Sequence, residues 1–209
     1  MTNNDVERSA IAMAIQVAVA FHSTYGHTSK QAYAVAAGAR EVQDTTVALL
    51  ALDELNESLW KTLDDCDAII FGSPTYMSGS SAGFRRFVEA TSKVWGDNLR
   101  WKNKIAAGFT NSSCMSGDKL QTLVEFALFA AQHGMIWVGM AHYGGWNSST
   151  GTIEDINRLG SWLGAMAQSN TDQGGDVAPP PSDLRTAAAL GKRVAEIAHI
   201  FACGRQAKL

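Results

Sequence analysis

Three short runs in this chain concentrate hydroxyl, small and polar residues of the kind that grip an anion or a polar ring edge. The first is Ser23, Thr24, Tyr25, Gly26, His27 and Thr28. The hydroxyls of Ser23, Thr24 and Thr28 can donate hydrogen bonds, and Gly26 lets backbone N–H groups approach a phosphate closely. Residues 29–42 are rich in Ala, with Ala, Tyr and Val at helical spacing. The loop therefore opens a helix whose free N–H groups and positive dipole end point the same way. Converging donors of this kind suit a monophosphate; a well-capped helix start with no ligand is the plainer alternative. The run is not GxGxxG and lacks the Walker lysine, so neither a dinucleotide fingerprint nor ATP hydrolysis is expected.

The second run is residues 72–79, with Pro74, Thr75, Tyr76 and Met77 at its centre. Pro and Gly set a tight path, while Tyr76 and Met77 offer flat or soft apolar surface to an aromatic ring. The alternative is a turn with a locally buried Tyr. The third run follows Thr110 and Asn111 and comprises Ser112, Ser113, Cys114, Met115, Ser116 and Gly117. It is polar, small and flexible, fit to hydrogen-bond a ring from the other side or simply to be a solvated loop.

These runs need elements to hold them. Short apolar segments at residues 15–21, 68–71, 105–109 and 135–138 read as strands buried on both faces, with a weaker strand at 46–50. Helical patterns lie between them at 29–42, 83–94 and 119–133, with a short one at 54–63. Strands alternating with helices predict a doubly wound α/β domain, a five-stranded parallel sheet in the order 2-1-3-4-5. Right-handed crossovers put every strand-to-helix loop at one sheet edge, where such folds bind ligands. A phosphate anchor with two loops able to flank a planar ring then suggests FMN. Beyond Val138 the pattern loosens. Residues 155–167 read as a helix, and 168–181 as a long excursion from the core. Ser182 and Asp183 offer a cap before a last helix through Phe201.

Composition narrows the classes. The 209 residues suit one domain, read as residues 13–209 after an N-terminal extension over 1–12. A net charge of -3 with no basic block argues against nucleic acid and against a membrane surface as partners. Cys66, Cys114 and Cys203 form neither a disulfide framework nor a zinc pattern, and a reducing cytoplasm is the expected location. Residues 9–21, SAIAMAIQVAVAF, resemble a signal sequence. The acidic Asp5 and Glu7 upstream and Gln16 within the run favour a buried first strand instead. His22 reads as a loop-edge residue at a strand end, His142 and His199 have no carboxylate or cysteine at ligand spacing, and Asp64, Asp65 and Asp67 read as a solvated turn, so no metal site is expected.

The motifs STYGHT after the first strand, GSPTYMSG after the third and QHGM at residues 132–135 resemble the WrbA family of flavodoxin-like NAD(P)H:quinone oxidoreductases. The likeness runs from about Ile15 to Met140 and more faintly to the last helix. It implies a flavodoxin-like fold in which Ser23 through Thr28 hold the FMN phosphate. Pro74, Thr75, Tyr76 and Met77 would border the isoalloxazine, and Ser112 through Gly117 would cover its other edge. It further implies His133 as a flavin-proximal catalytic residue, in a site shared between subunits, and Tyr25 and Trp95 as the surfaces where NADH or NADPH and a quinone-like acceptor alternate. A homo-oligomer, dimer or tetramer, is the implied assembly. The chain departs from the family at its third loop, which is glycine-rich there, at Tyr76, where the family has Arg, and over residues 143–151. An electron-carrier flavodoxin and a cofactor-free interaction protein are the rival readings.

Overall fold

The computed structural model describes residues 14–206; the extension expected over residues 1–12, and with it the first part of the signal-like stretch, lies outside them. The chain runs β1 (Ile15–Phe21), α1 (His27–Arg40), β2 (Thr45–Ala51), α2 (Glu57–Asp65), β3 (Ala68–Tyr76), β4 (Gly79–Ser80), α3 (Ala82–Ala90), α4 (Ser92–Gly96), β5 (Ile105–Ser112), α5 (Lys119–Gln132), β6 (Ile136–Trp137), β7 (Ala165–Gln168) and α6 (Pro181–Gln206). The sheet order is β2-β1-β3-β5-β6, parallel throughout, with β4 folded back antiparallel on β3 and β7 paired with β5. Leaving out the two-residue β4, this is the expected 2-1-3-4-5 order.

Apolar runs without alternation become central strands because helices cover both faces. In β1 every residue but Gln16 is buried. One face packs Ile15, Val17 and Val19 with Ile70 and Ala107 against α1 and α6. The other packs Phe71 against Phe84 and Phe87 of α3 and Phe126 and Phe129 of α5. The Phe71 and Phe129 rings lie 5.2 Å apart at 65°, an edge-to-face contact.

The last strand departs from its expected form. Only Ile136 and Trp137 of residues 135–138 pair with β5, opposite its first two residues. The other half of β5 is completed by β7, Ala165 to Gln168 opposite Phe109 to Ser112. The edge strand is thus split, with residues 138–164 between its halves. The helix read over 155–167 is a series of turns ending in β7. No periodicity survives in a four-residue strand, so its pattern was unreadable. Ser182 and Asp183 lie inside α6 rather than capping it. Asp183 is committed elsewhere: its carboxylate forms a buried two-point ion pair with Arg158 at 2.7 and 2.8 Å, and it accepts the Gln168 N–H.

Two glycines set the spacing of the α1–α6 layer. A methyl on Gly191 would overlap the Val35 carbonyl, and one on Gly38 would overlap the Ala188 carbonyl. Backbone strain is found in the β3–β4 hairpin. Its two-residue turn places Met77 at φ 47° and Ser78 at φ 65°, the left-handed pair of a type I′ turn that Asn-Gly fills without strain.

Both features give stability predictions, read from urea unfolding midpoints. Gly191→Ala lowers stability by about 2 kcal/mol or more, although alanine gains about 1 kcal/mol in helix propensity. Met77→Asn with Ser78→Gly raises stability by about 1–2 kcal/mol.

Candidate functional site

The three runs do converge. β1, β3 and β5 end at one edge of the sheet, and a cleft of about 680 Å³ opens there. Its floor and first wall come from Ser23, Thr24, Tyr25, His27 and Thr28; a second wall comes from Pro74, Thr75 and Tyr76; a third from Asn111, Ser112 and Ser113. Gly26 stands as the N-cap of α1 at φ 88°, offering no capping side chain. Ser23 Oγ accepts the Ser29 N–H at 3.1 Å. Among the described residues, the N–H groups of His27 and Thr28 have no acceptor. Two free amides at a helix start, beside the hydroxyls of Ser23 and buried Thr28, make an anion cradle.

The second wall is held by a hydroxyl circuit. Thr110 Oγ1 donates to the Ser73 carbonyl at 2.7 Å. It must then accept from Thr75 Oγ1 at 2.8 Å, so Thr75 accepts from Thr122 Oγ1, also at 2.8 Å. Three buried threonines thereby tie β3, β5 and α5 together under the cleft. Thr75 faces this circuit, and Tyr76, 40% exposed, presents its ring to the opening.

A fourth wall comes from outside the three runs. Ser169, Thr171, Asp172, Gln173 and Gly174 line the cleft, from the stretch read as an excursion. His27 Nε2 bonds the Gln173 carbonyl at 2.7 Å, and Lys30 Nζ donates to the Asp176 carbonyl at 2.8 Å. A side chain on Gly175 would crowd the backbone of Gly26. These contacts span about 146 positions, a separation that no local pattern reveals.

Several expected residues stand elsewhere. Met77 projects fully into solvent at the hairpin tip and does not line the cleft. Cys114, Met115, Ser116 and Gly117 turn away from it, and Met115 and Ser116 border a neighbouring groove with Arg158 and Leu159. His133 is 2% exposed, packed against the rings of Trp101 and Phe129, with Nε2 on Thr91 Oγ1 at 3.0 Å. Burial holds its pKa below the ordinary histidine range. It caps the far end of α5, about 20 Å of helix from the loop that α5 leaves. Trp95 lies at the same far edge, half-exposed on α4. Within one chain neither reaches the cleft, because helices that follow parallel strands run back to the opposite edge. Asp64, expected in a solvated turn, accepts the Trp101 Nε1–H at 2.8 Å and pairs with Arg100.

The turning of the third loop has a cause in Lys119. This first residue of α5 is fully buried, and its ammonium donates to Ser112 Oγ (2.9 Å), the Cys114 carbonyl (2.6 Å) and the Met115 carbonyl (3.0 Å). A lysine opposing the positive end of its own helix is the local sign that its charge is held by other contacts. Burial lowers its pKa to about 8, with the Arg158 charge adding to the effect while Asp183 and Cys114 oppose it.

The cleft fits FMN on its own geometry. Its volume lies in the range of cofactor pockets, the cradle offers free donors for one phosphate, and Pro74 and Tyr76 give an apolar wall beside the polar wall of Asn111 to Ser113.

Lys119 carries a pH prediction. Its pKa is near 10.5 in the unfolded chain and about 8 in the fold. Between these values the unfolded chain binds more proton, so stability rises with pH, by about 3 kcal/mol across the interval. Urea unfolding of wild type against Lys119→Met, from pH 7.5 to 10.5, reads this as a growing difference; a flat difference contradicts it.

Known proteins bear on this geometry. The flavodoxin family model matches residues 19–189. The chain is 38% identical over 179 residues to flavodoxin FldP of Pseudomonas aeruginosa, covering 86% of this chain and 94% of that protein. It is 33% identical over 204 residues to a protein of Archaeoglobus fulgidus named NAD(P)H dehydrogenase (quinone), covering 88% and 97%. Among solved structures it is similar to a flavodoxin, WrbA-like protein from Agrobacterium tumefaciens. That structure has 38% identity and a TM-score of 0.69, over 93% of this chain and 99% of that one. The chain belongs to the flavodoxin family, as a member of its WrbA-like kind.

Proposed function

We propose that this protein is an FMN-dependent oxidoreductase that carries two electrons from NADH or NADPH to a quinone-like acceptor. The observation that carries the reading is the uncapped start of α1 inside a four-walled cleft. It provides free N–H donors for one phosphate, with an apolar wall beside them for a planar ring. The family supports the flavin, and the name of the Archaeoglobus fulgidus relative supports the donor and acceptor.

When bound, FMN supplies the two-electron chemistry; the protein binds and orients. The N–H groups of His27 and Thr28 and the hydroxyls of Ser23, Thr24 and Thr28 hold the phosphate. Pro74 and Tyr76 border the ring on one side, and Asn111, Ser112 and Ser113 on the other. Tyr25, 71% exposed at the mouth, offers a face against which nicotinamide and acceptor alternate. No acid or base of the described cleft is required. His133 is enclosed in its own chain and takes no part here. A homo-oligomer, dimer or tetramer, belongs to the proposal, since only a second copy can bring the half-exposed Trp95 to a cleft. Among the described residues no helix is long and apolar enough to cross a membrane. A cytoplasmic location, with neither nucleic acid nor membrane as partner, completes the reading.

The name of the Pseudomonas aeruginosa relative favours a second reading, an electron carrier without its own nicotinamide turnover. One set of measurements separates them. Purified protein titrated with FMN is expected to take on bound-flavin absorbance, and NADH or NADPH to bleach it and be consumed with benzoquinone. Binding without bleaching selects the carrier; no binding at all leaves a cofactor-free protein. Thr28→Val is expected to weaken FMN about tenfold or more, the loss of one hydrogen bond to a charged group. An unchanged dissociation constant would remove Thr28 from the cradle.

A further inference from the structure

The proposed function makes no use of Lys119, yet its ammonium is the one fully buried cation touching a wall of the cleft among the described residues. Its three protons go to the third loop and to no carboxylate. Ser112 Oγ accepts one of them and donates its own proton to the Cys114 carbonyl at 3.2 Å. Ser112 is also a cleft-lining residue. The positive charge therefore stands one hydrogen bond behind the wall, and the hydroxyl between them is oriented by it.

The charge is not cancelled nearby. Around the ammonium stand Asp183 on α6, Arg158 on the connection between the strand halves, and Cys114 on the third loop. Asp183 is occupied by Arg158 through two close contacts. The Lys119–Arg158–Asp183 group thus carries a net positive charge in a medium where charges are felt strongly.

We propose that Lys119 is a positioning residue for the flavin ring: it fixes the Ser112 hydroxyl at the wall against the ring, and its charge favours the ring's gain of electrons. The inference rests on FMN occupying the cleft. A hydride leaving reduced nicotinamide brings two electrons and one proton, so the ring gains one net negative charge and the donor leaves oxidised. Passing two electrons and that proton to a quinone, with a second proton from water, restores the ring and yields the hydroquinone. A fixed cation at the wall stabilises the negative charge held between these two transfers.

The reading has a signature that packing alone does not produce. Lys119 loses its proton near pH 8, so its electrostatic effect fades as pH rises through that value. The experiment measures the two-electron midpoint potential of bound FMN against a reference dye, in wild type, Lys119→Met and Lys119→Arg, from pH 6.5 to 10. Wild type is expected to be more positive than Lys119→Met at pH 7 by the equivalent of about tenfold in the reduction equilibrium, about 30 mV for two electrons. The difference is expected to shrink above pH 8 and to be gone by about pH 10. Lys119→Arg keeps its offset at high pH, because guanidinium does not titrate there. If Lys119→Met does not fold, Lys119→Gln serves as the neutral comparison. A difference independent of pH, or none, overturns the electrostatic role. A wild type that takes up no FMN overturns the proposed function instead, and the two failures are read from separate measurements.

Discussion

The parallel pairing of β3 with β5, in register from Ala68 against Ile105 to Pro74 against Asn111, is the constraint on which the cleft depends. It brings the second and third loops to the same height at the same sheet edge. The seven paired positions keep ladder hydrogen bonds and apolar packing together, since a shift by one residue would exchange the faces. The circuit from Thr122 through Thr75 and Thr110 to Ser73 is laid across this pair. Its hydroxyls bond one another in sequence, and so lock the end of β3 at the point where it leaves the sheet.

From this pair the other walls follow. β1 lies on the far side of β3, and its loop meets theirs because all three strands run the same way. The split edge strand does the rest. β7 lies beside the last residues of β5, so the chain that leaves it passes directly over the cleft before entering α6. Asp183 holds the end of β7 through the Gln168 N–H, and Arg158 pairs with it there, where a lone carboxylate would be costly to bury. The same ion pair lies beside Lys119, so a device that secures the fold also shapes the field at the third loop.

Most of the core was legible because burial on both faces leaves continuous apolar runs. β1, β3 and β5 are such runs, and the phosphate-gripping loop follows the first of them with its glycine and hydroxyls in place. The edge was illegible. β6 and β7 have two and four residues, too short for any period to show, and 27 residues lie between them. The fourth wall is tied to α1 by bonds across about 146 positions, and nothing local in residues 169–174 points to His27. Resemblance carried His133 and Trp95 toward the flavin, but helix direction within one chain sends both to the opposite edge.

By itself the sequence determined the alternation of strand and helix, and therefore the sheet edge where a ligand is held. It determined the donor types in the first loop as well, since hydroxyls, a glycine and a helix start are local features. Only the tertiary structure decided which residues close the cleft and where charge sits behind it. Lys119 reads only as a lysine at the unfavourable end of its helix until Ser112, Cys114 and Met115 fold back onto its ammonium. Residues 168–181 read as a polar excursion until β7 completes β5 and carries them over the site. Local chemistry is written in neighbouring residues, whereas burial and field depend on residues that meet only when the chain is folded.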